Sequence, residues 1–298
     1  MEKHQLGQTD MNVTRLGVGL SEIGRGTEKE RASEVLNLAL DGGINFLDTS
    51  ACYGSSEELV GYAVSNRRDE YYLATKAGHV AGGYEGEAWT AKTISDSIKR
   101  SLKRMKTEYV DLIQLHSCGV EVLERGEAIE AVQRAKQEGK TRYIGYSGDN
   151  DAALWAVESG LFDTLQTSFN LVEQKARFEL FDKAKEKGMG VIIKRPIANG
   201  AWGAEQSPSD YAKTYFERAK QMREQGEVPE APDNRILLAL GFTFAHDAVD
   251  VAIVGTKTPK YMRSNIDMVN NDLPISDAAV AALHKRFEKV GRDWEQQT

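Results

Sequence analysis

Four side chains of different chemistry close apolar runs, or follow one, in the first half of the chain: Asp48, Tyr53, Lys76 and His116. Asp48 ends Phe46-Leu-Asp48, with Tyr53-Gly54 just beyond; Lys76 ends Leu73-Ala-Thr-Lys76, and His116 ends Leu112-Ile-Gln-Leu-His116. Side chains alternate between faces along a strand, so Phe46 shares a face with Asp48, Ala74 with Lys76, and Gln114 with His116. If these runs are strands, the carboxylate, the ammonium and the imidazole converge on one point, and Tyr53 reaches it from a loop. Such a group can move a proton. A phenol, with a pKa of about 10, is a reluctant donor near neutrality. An ammonium beside it favours the phenolate and eases release, and an ionised Asp48 keeps Lys76 charged and oriented. His116 can hydrogen-bond an oxygen and position it. Each residue alone has an ordinary explanation: a helix cap, a snorkelling lysine, a hydrogen-bonded core histidine, a turn. Four at consecutive run ends are harder to dismiss.

The runs belong to a longer alternation. Strand-like segments at 16–20, 44–50, 71–76, 109–116, 141–147, 164–169, 190–196 and 249–254 alternate with helical patterns. The helical patterns lie at 29–41, 57–65, 93–105, 122–138, 152–159, 175–186, 235–245 and 260–269, with a last helix at 276–289. Leu6-Gly7 and Thr9-Asp10 mark turns of an N-terminal hairpin, and Gly42-Gly43 supplies a helix stop. Eight strand–helix units predict an α/β protein, a parallel (β/α)8 TIM barrel with an N-terminal hairpin and a C-terminal helix. An open dinucleotide-binding sheet needs a glycine-rich loop after its first strand, and Gly17-Val-Gly19-Leu-Ser-Glu22 lacks the third glycine. Residues 1–298 form one domain in this reading, and 199–233 is an insertion with its own helix near 210–224. That insertion and the glycine-rich stretch 77–89 both follow strands, on the face where barrels carry active sites. They read equally as solubilising loops, or as a cofactor lid and a substrate loop.

Composition excludes several classes. The net charge of −7 with mixed signs argues against a basic nucleic-acid-binding face. No apolar run is long enough to span a bilayer, and Met1-Glu-Lys-His-Gln5 does not read as a signal peptide, so the expected location is the cytosol. Cys52 and Cys118 are too few for a disulfide framework and read as packing residues. No metal is expected, since His4, His79, His116, His246 and His284 are scattered. A monomer is the default expectation.

The runs Asn45-Phe-Leu-Asp-Thr-Ser-Ala-Cys-Tyr-Gly54, Ala74-Thr-Lys76 and Asp111-Leu-Ile-Gln-Leu-His116 resemble the active-site signatures of the aldo-keto reductase superfamily. The resemblance continues through Ile144-Gly-Tyr-Ser147, Leu165-Gln-Thr-Ser-Phe-Asn170 and Ile253-Val-Gly-Thr256, nearly the whole chain. It implies reduction of an aldehyde or ketone to an alcohol by hydride transfer, with Tyr53 as general acid, Lys76 as its electrostatic tuner, Asp48 as the anchor of Lys76, and His116 as orienter. It also implies NADP(H), or else NAD(H). Ser147 and Gln166 would hold the nicotinamide carboxamide, and Lys194, Arg195, Gly255, Thr256, Lys257, Tyr261 and Asn265 the rest of the cofactor. Gly148 stands where relatives often have asparagine, with Asn170 or a water as the substitute, and Lys194 where they often have an aromatic ring. Relatives preferring NADP usually carry lysine, arginine and glutamate where this chain has Gly255, Tyr261 and Ser264. A cation at position 194 would favour the reduced cofactor, unless only its aliphatic stem packs there. Glu22, Ile23, His79 and Trp89 are the expected substrate-pocket residues for a small-molecule carbonyl compound. Two other functions fit the same residues: a cofactor-binding sensor or accessory subunit, and a Schiff-base lyase using Lys76, which a paired Asp48 disfavours.

Overall fold

The computed structural model describes residues 1–297. Strands β1 (Lys3–Gln5) and β2 (Asn12–Thr14) form an antiparallel hairpin. Eight parallel strands follow and close into a barrel: β3 (Leu16–Gly19), β4 (Phe46–Asp48), β5 (Tyr72–Ala77), β6 (Val110–His116), β7 (Thr141–Ser147), β8 (Thr164–Ser168), β9 (Gly190–Lys194) and β10 (Val251–Val254), with β10 pairing β3. Helices cover the outside, among them α1 (Lys29–Asp41), α2 (Ser56–Ala63), α3 (Ala91–Met105) and α6 (Asn150–Ser159). The later ones are α9 (Lys213–Arg223), α10 (Arg235–Phe244), α11 (Pro259–Asn271) and α12 (Asp277–Val290).

The 122–138 pattern is two helices, α4 (Val120–Arg125) and α5 (Glu127–Gln137), because Gly126 turns left-handed at φ 76° between them. The 175–186 pattern also divides, into α7 (Ala176–Glu179) and α8 (Phe181–Glu186), at Leu180. In the insertion, a short turn at Asp210–Ala212 leads into α9.

Two apolar layers result from strand alternation. Outward-facing strand residues such as Leu47, Leu73, Ile113, Leu115 and Leu165 pack under the helices. Inward-facing Phe46, Ala74, Leu112, Ile192, Val251 and Ile253 fill the lower barrel, and Leu6, Met11 and Val13 of the hairpin plug its floor. Asn45 ties the plug to β4, accepting from the Thr14 N–H (2.7 Å) and donating to the Asn12 carbonyl (2.9 Å). Continuing up the same inward positions, Phe46 gives way to Asp48, Ala74 to Lys76 and Leu112 to Gln114. The barrel therefore changes from apolar to polar towards its C-terminal mouth.

Candidate active site

Asp48, Lys76, Gln114 and Gln166 form one polar layer under the mouth, each at most 1% exposed. Lys76 pairs through Nζ with Asp48 Oδ2 and donates to the Thr49 carbonyl at 2.9 Å. Asp48 Oδ1 accepts from two amides, Gln114 Nε2 at 3.0 Å and Gln166 Nε2 at 2.9 Å. Gln166 Oε1 in turn accepts from the Ser147 hydroxyl at 3.0 Å. Register explains the layer: Lys76 lies opposite Gln114, and Ser147 opposite Gln166.

Tyr53 sits above this layer, its ring centroid 4.8 Å from Lys76 Nζ. His116 meets Tyr53 edge-on at 5.7 Å between centroids, and its Nδ1 lies 3.3 Å from the Ser50 hydroxyl. Burial works against the Lys76 ammonium, but Asp48 and Tyr53 outweigh it and hold its pKa above the ordinary lysine value. Burial raises the Tyr53 phenol above its usual value despite Lys76, so the ring is protonated near neutrality. His116 is pushed well below the ordinary histidine value by burial and by the cations of Lys76, Lys194 and Arg195. The arrangement is a neutral imidazole and a protonated phenol over a buried ion pair.

The expected pocket residues divide. His79 stacks edge-on against both Trp89 (4.7 Å) and His116 (5.2 Å), which brings the 77–89 loop onto the mouth. Glu22 is exposed beside Gly255. Ile23 is 1% exposed and packs in the helix-side core, so it offers no pocket wall.

Past β9, Lys194 forms an ion pair with Asp149 at 2.6 Å. Burial opposes the Asp149 carboxylate, yet Lys194 and Arg195 outweigh it and hold its pKa below the usual range. The charge at position 194 is therefore compensated, a partner that sequence pattern did not indicate. Asn170, expected as the substitute amide, instead donates to the Arg195 carbonyl at 3.0 Å and accepts from the Val172 N–H. Gly148 has a steric cause: a Cβ there would lie 2.4 Å from the Tyr146 hydroxyl oxygen. Tyr146 is buried and anchored on the Cys118 carbonyl at 2.7 Å.

The insertion packs beside the mouth. Arg195 lies over the Tyr211 ring (5.2 Å), and Tyr215 donates to Glu173, whose carboxyl is pushed up to about 7, chiefly by burial. The segment 294–297 is woven into the same place. Gln296 donates to the Ser168 carbonyl at 2.8 Å, while Gln297 bonds to Glu173 and Arg195. Asp149, Glu173 and Gln296 have no local motif, so sequence reading missed them. Gln114 could have been found, since it shares the inward face of His116.

Around the start of α11 lies a groove of about 690 Å³ lined by Arg31, Asn234, Lys260, Arg263 and Ser264, among others. Of the expected residues nearby, Thr256 and Asn265 are buried, while Gly255, Lys257 and Tyr261 are exposed. The groove's cations Arg31, Lys260 and Arg263 stand among three carboxylates, Glu34, Asp267 and Asp272, and Arg31 pairs with Glu34 at 3.4 Å. The Cys118 thiol is pushed up to about 12 by burial, and the Cys52 thiol is raised for the same reason, so neither has thiolate character. Among the described residues no cluster of three or more His, Cys, Asp or Glu side chains could hold a metal, and no helix is long and apolar enough to cross a membrane.

A closed parallel barrel with an ion pair, a phenol and an imidazole at its C-terminal mouth has the build of a barrel enzyme whose site lies at the strand ends. The sequence model of the Aldo/keto reductase family matches residues 15–285, and the chain belongs to that family. It is 33% identical to the uncharacterized oxidoreductase YqkF of Bacillus subtilis over 91% of this chain and 92% of that one. It is 30% identical to the L-galactose dehydrogenase of Arabidopsis thaliana over 90% and 88%. Among solved structures, the holo form of aldo-keto reductase AKR11C1 from Bacillus halodurans matches with a TM-score of 0.83 and 28% identity, over 96% of both chains.

Proposed function

We propose that this protein reduces an aldehyde or ketone to an alcohol with a nicotinamide cofactor, Tyr53 donating the proton. The observation that carries the reading is the buried Asp48–Lys76 pair directly under Tyr53, with neutral His116 at its edge. The residues suit the cofactor: the Ser147 hydroxyl and the Gln166 amide stand together at the mouth, and a polar groove of mixed charge that includes Lys260 and Arg263 lies by α11. In this role Ser147 and Gln166 would hold the carboxamide, Arg195 and Thr256 the middle of the cofactor, and Lys257, Asn265, Lys260 and Arg263 its adenosine end. Lys257, Lys260 and Arg263 are the groups that would meet the extra phosphate of NADP(H), which ranks it before NAD(H), although Glu34, Asp267 and Asp272 line the same groove and Arg31 pairs with Glu34. When bound, the nicotinamide supplies the hydride.

The protein supplies the rest. Neutral His116 hydrogen-bonds the carbonyl oxygen and orients it. Tyr53 passes its proton to that oxygen as charge develops, and Lys76 stabilises the phenolate left behind. Asp48 holds Lys76 in place and charged. His79 and Trp89 would wall the small-molecule site, and the 199–233 insertion beside the mouth would serve as the cofactor's lid. Because the Asp48 pair keeps Lys76 protonated, the Schiff-base alternative ranks below this one.

The test is fluorescence titration with NADPH and NADH, followed by a panel of carbonyl compounds. Tyr53→Phe is expected to lower turnover by about 10²–10⁴-fold, the usual contribution of a general acid, while keeping cofactor affinity. Undiminished turnover in that variant would remove Tyr53 from the role. Binding of neither nicotinamide would remove the reductase reading.

A further inference from the structure

Gln114 has no part in the chemistry so far, yet it stands in the middle of the polar layer. It is 0% exposed, its Nε2 donates to Asp48 Oδ1 at 3.0 Å, and its Oε1 has no hydrogen-bond partner among the described residues. Turning the amide round would aim its carbonyl oxygen at the Asp48 carboxylate, so the carboxylate dictates the orientation. A buried amide with one unpaired atom is a poor choice for packing alone, where leucine or methionine would fill the space without an orphan acceptor. Its neighbours account for it. Asp48 is a buried carboxylate at the end of a three-residue strand, and Lys76 engages only its Oδ2. Two neutral donors, Gln114 from β6 and Gln166 from β8, fasten the other oxygen.

We propose that Gln114 is a positioning residue for proton transfer from Tyr53, clamping Asp48 Oδ1 so that Oδ2 stays on Lys76. This rests on the reading of Tyr53 as the proton donor. Gln166 makes the same contact but is also bonded to Ser147, so it is the partner expected to shift when that hydroxyl takes up a ligand. Gln114 is then the donor that keeps the pair in register throughout. The titratable groups facing this centre are Lys76 from β5, His116 from β6 and Tyr211 from the insertion. His79, Lys194 and Arg195 lie round His116. Gln114 is neutral, so it acts on the charge balance only through Asp48.

Two variants test this. Gln114→Met keeps the volume and removes the donor. It is expected to lower kcat by about tenfold, to leave the carbonyl KM and NADPH affinity nearly unchanged, and to move the basic limb of the kcat profile to higher pH. The shift follows because an under-compensated Asp48 charge disfavours the Tyr53 phenolate. Gln114→Glu is the conditional rescue: protonated, the introduced carboxyl donates to Asp48 as the amide does, and ionised it repels it. Its activity should recover as pH falls. Unchanged kcat and profile in Gln114→Met would overturn the proposal, as would equal losses in kcat and NADPH binding, which mark general disruption. Should Gln114→Met fail to fold, the pH rescue in Gln114→Glu carries the test, and absence of rescue overturns it. Should no carbonyl compound be turned over by the native protein, the reading of the activity fails separately. Ultraviolet difference titration against Tyr53→Phe then decides the positioning role, an upward shift of the phenol in Gln114→Met supporting it and no shift overturning it.

Discussion

Asp48 is the residue on which the site depends most, because it offsets Lys76, the cation buried in the barrel's polar layer. Removing one partner of a buried pair leaves an uncompensated charge, which costs about 3–5 kcal/mol. Asp48→Ala should therefore lower stability by that order in urea unfolding. The double variant Asp48→Ala/Lys76→Met should recover part of the loss, since it removes both charges. A double variant no more stable than the single would show that the pair is not what the barrel depends on. As a candidate site, Asp48, Lys76 and His116 were legible from their places on strands and Tyr53 from the loop after β4. Their environment was not. Near neutrality the Tyr53 phenol is held protonated by burial more than it is eased by Lys76, and burial depends on the loops that close over the ring.

At the scale of elements, the segment after β7 shows how one packed ring dictates a backbone. Tyr146 fills the space over Gly148, so a side chain at 148 forces it to move. Gly148→Asn, the residue relatives often carry, is expected to cost about 1–3 kcal/mol by overpacking. The loss should be much smaller in a Tyr146→Leu background, where the ring is absent. Equal losses in both backgrounds, measured by denaturant midpoint, would remove Tyr146 as the cause. Periodicity read most elements well: α1 coincides with the pattern at 29–41, and the hairpin lies where the turn residues put it. It failed at 122–138 and 175–186, because a hydrophobic period survives a change of helix axis when both pieces face the same core.

For the whole molecule, the packing of the turn after α10 against α12 carries a pH dependence. His246 Nδ1 donates to the Phe242 carbonyl at 2.9 Å, which leaves its Nε2 as the acceptor for His284 Nε2–H, also at 2.9 Å. Protonating His246 removes that acceptor. Burial depresses both histidines, His284 to about 4, with Arg177 adding to the effect. The unfolded chain then binds more protons than the fold between about pH 4 and 6.5, so these groups make stability fall as pH drops through that window. His246→Phe/His284→Leu should flatten the fall in Tm over that range, and an unchanged slope would assign the acid sensitivity elsewhere.

The barrel, its hairpin and the candidate cluster of Asp48, Lys76, His116 and the loop residue Tyr53 could be read from the chain alone. Alternation and the strand–helix count are local properties, and eight parallel strands with helices between them have few ways to close. Which polar groups meet is a property of the folded chain. The Gln114 and Gln166 amides reach Asp48 across 66 and 118 residues of chain, Lys194 finds Asp149, and 294–297 returns to Ser168 and Glu173. Those contacts depend on barrel shear, on strand register and on loops crossing the mouth. None of these leaves a periodic trace in the sequence, because a buried polar group is specified by the partner opposite it and not by its neighbours along the chain.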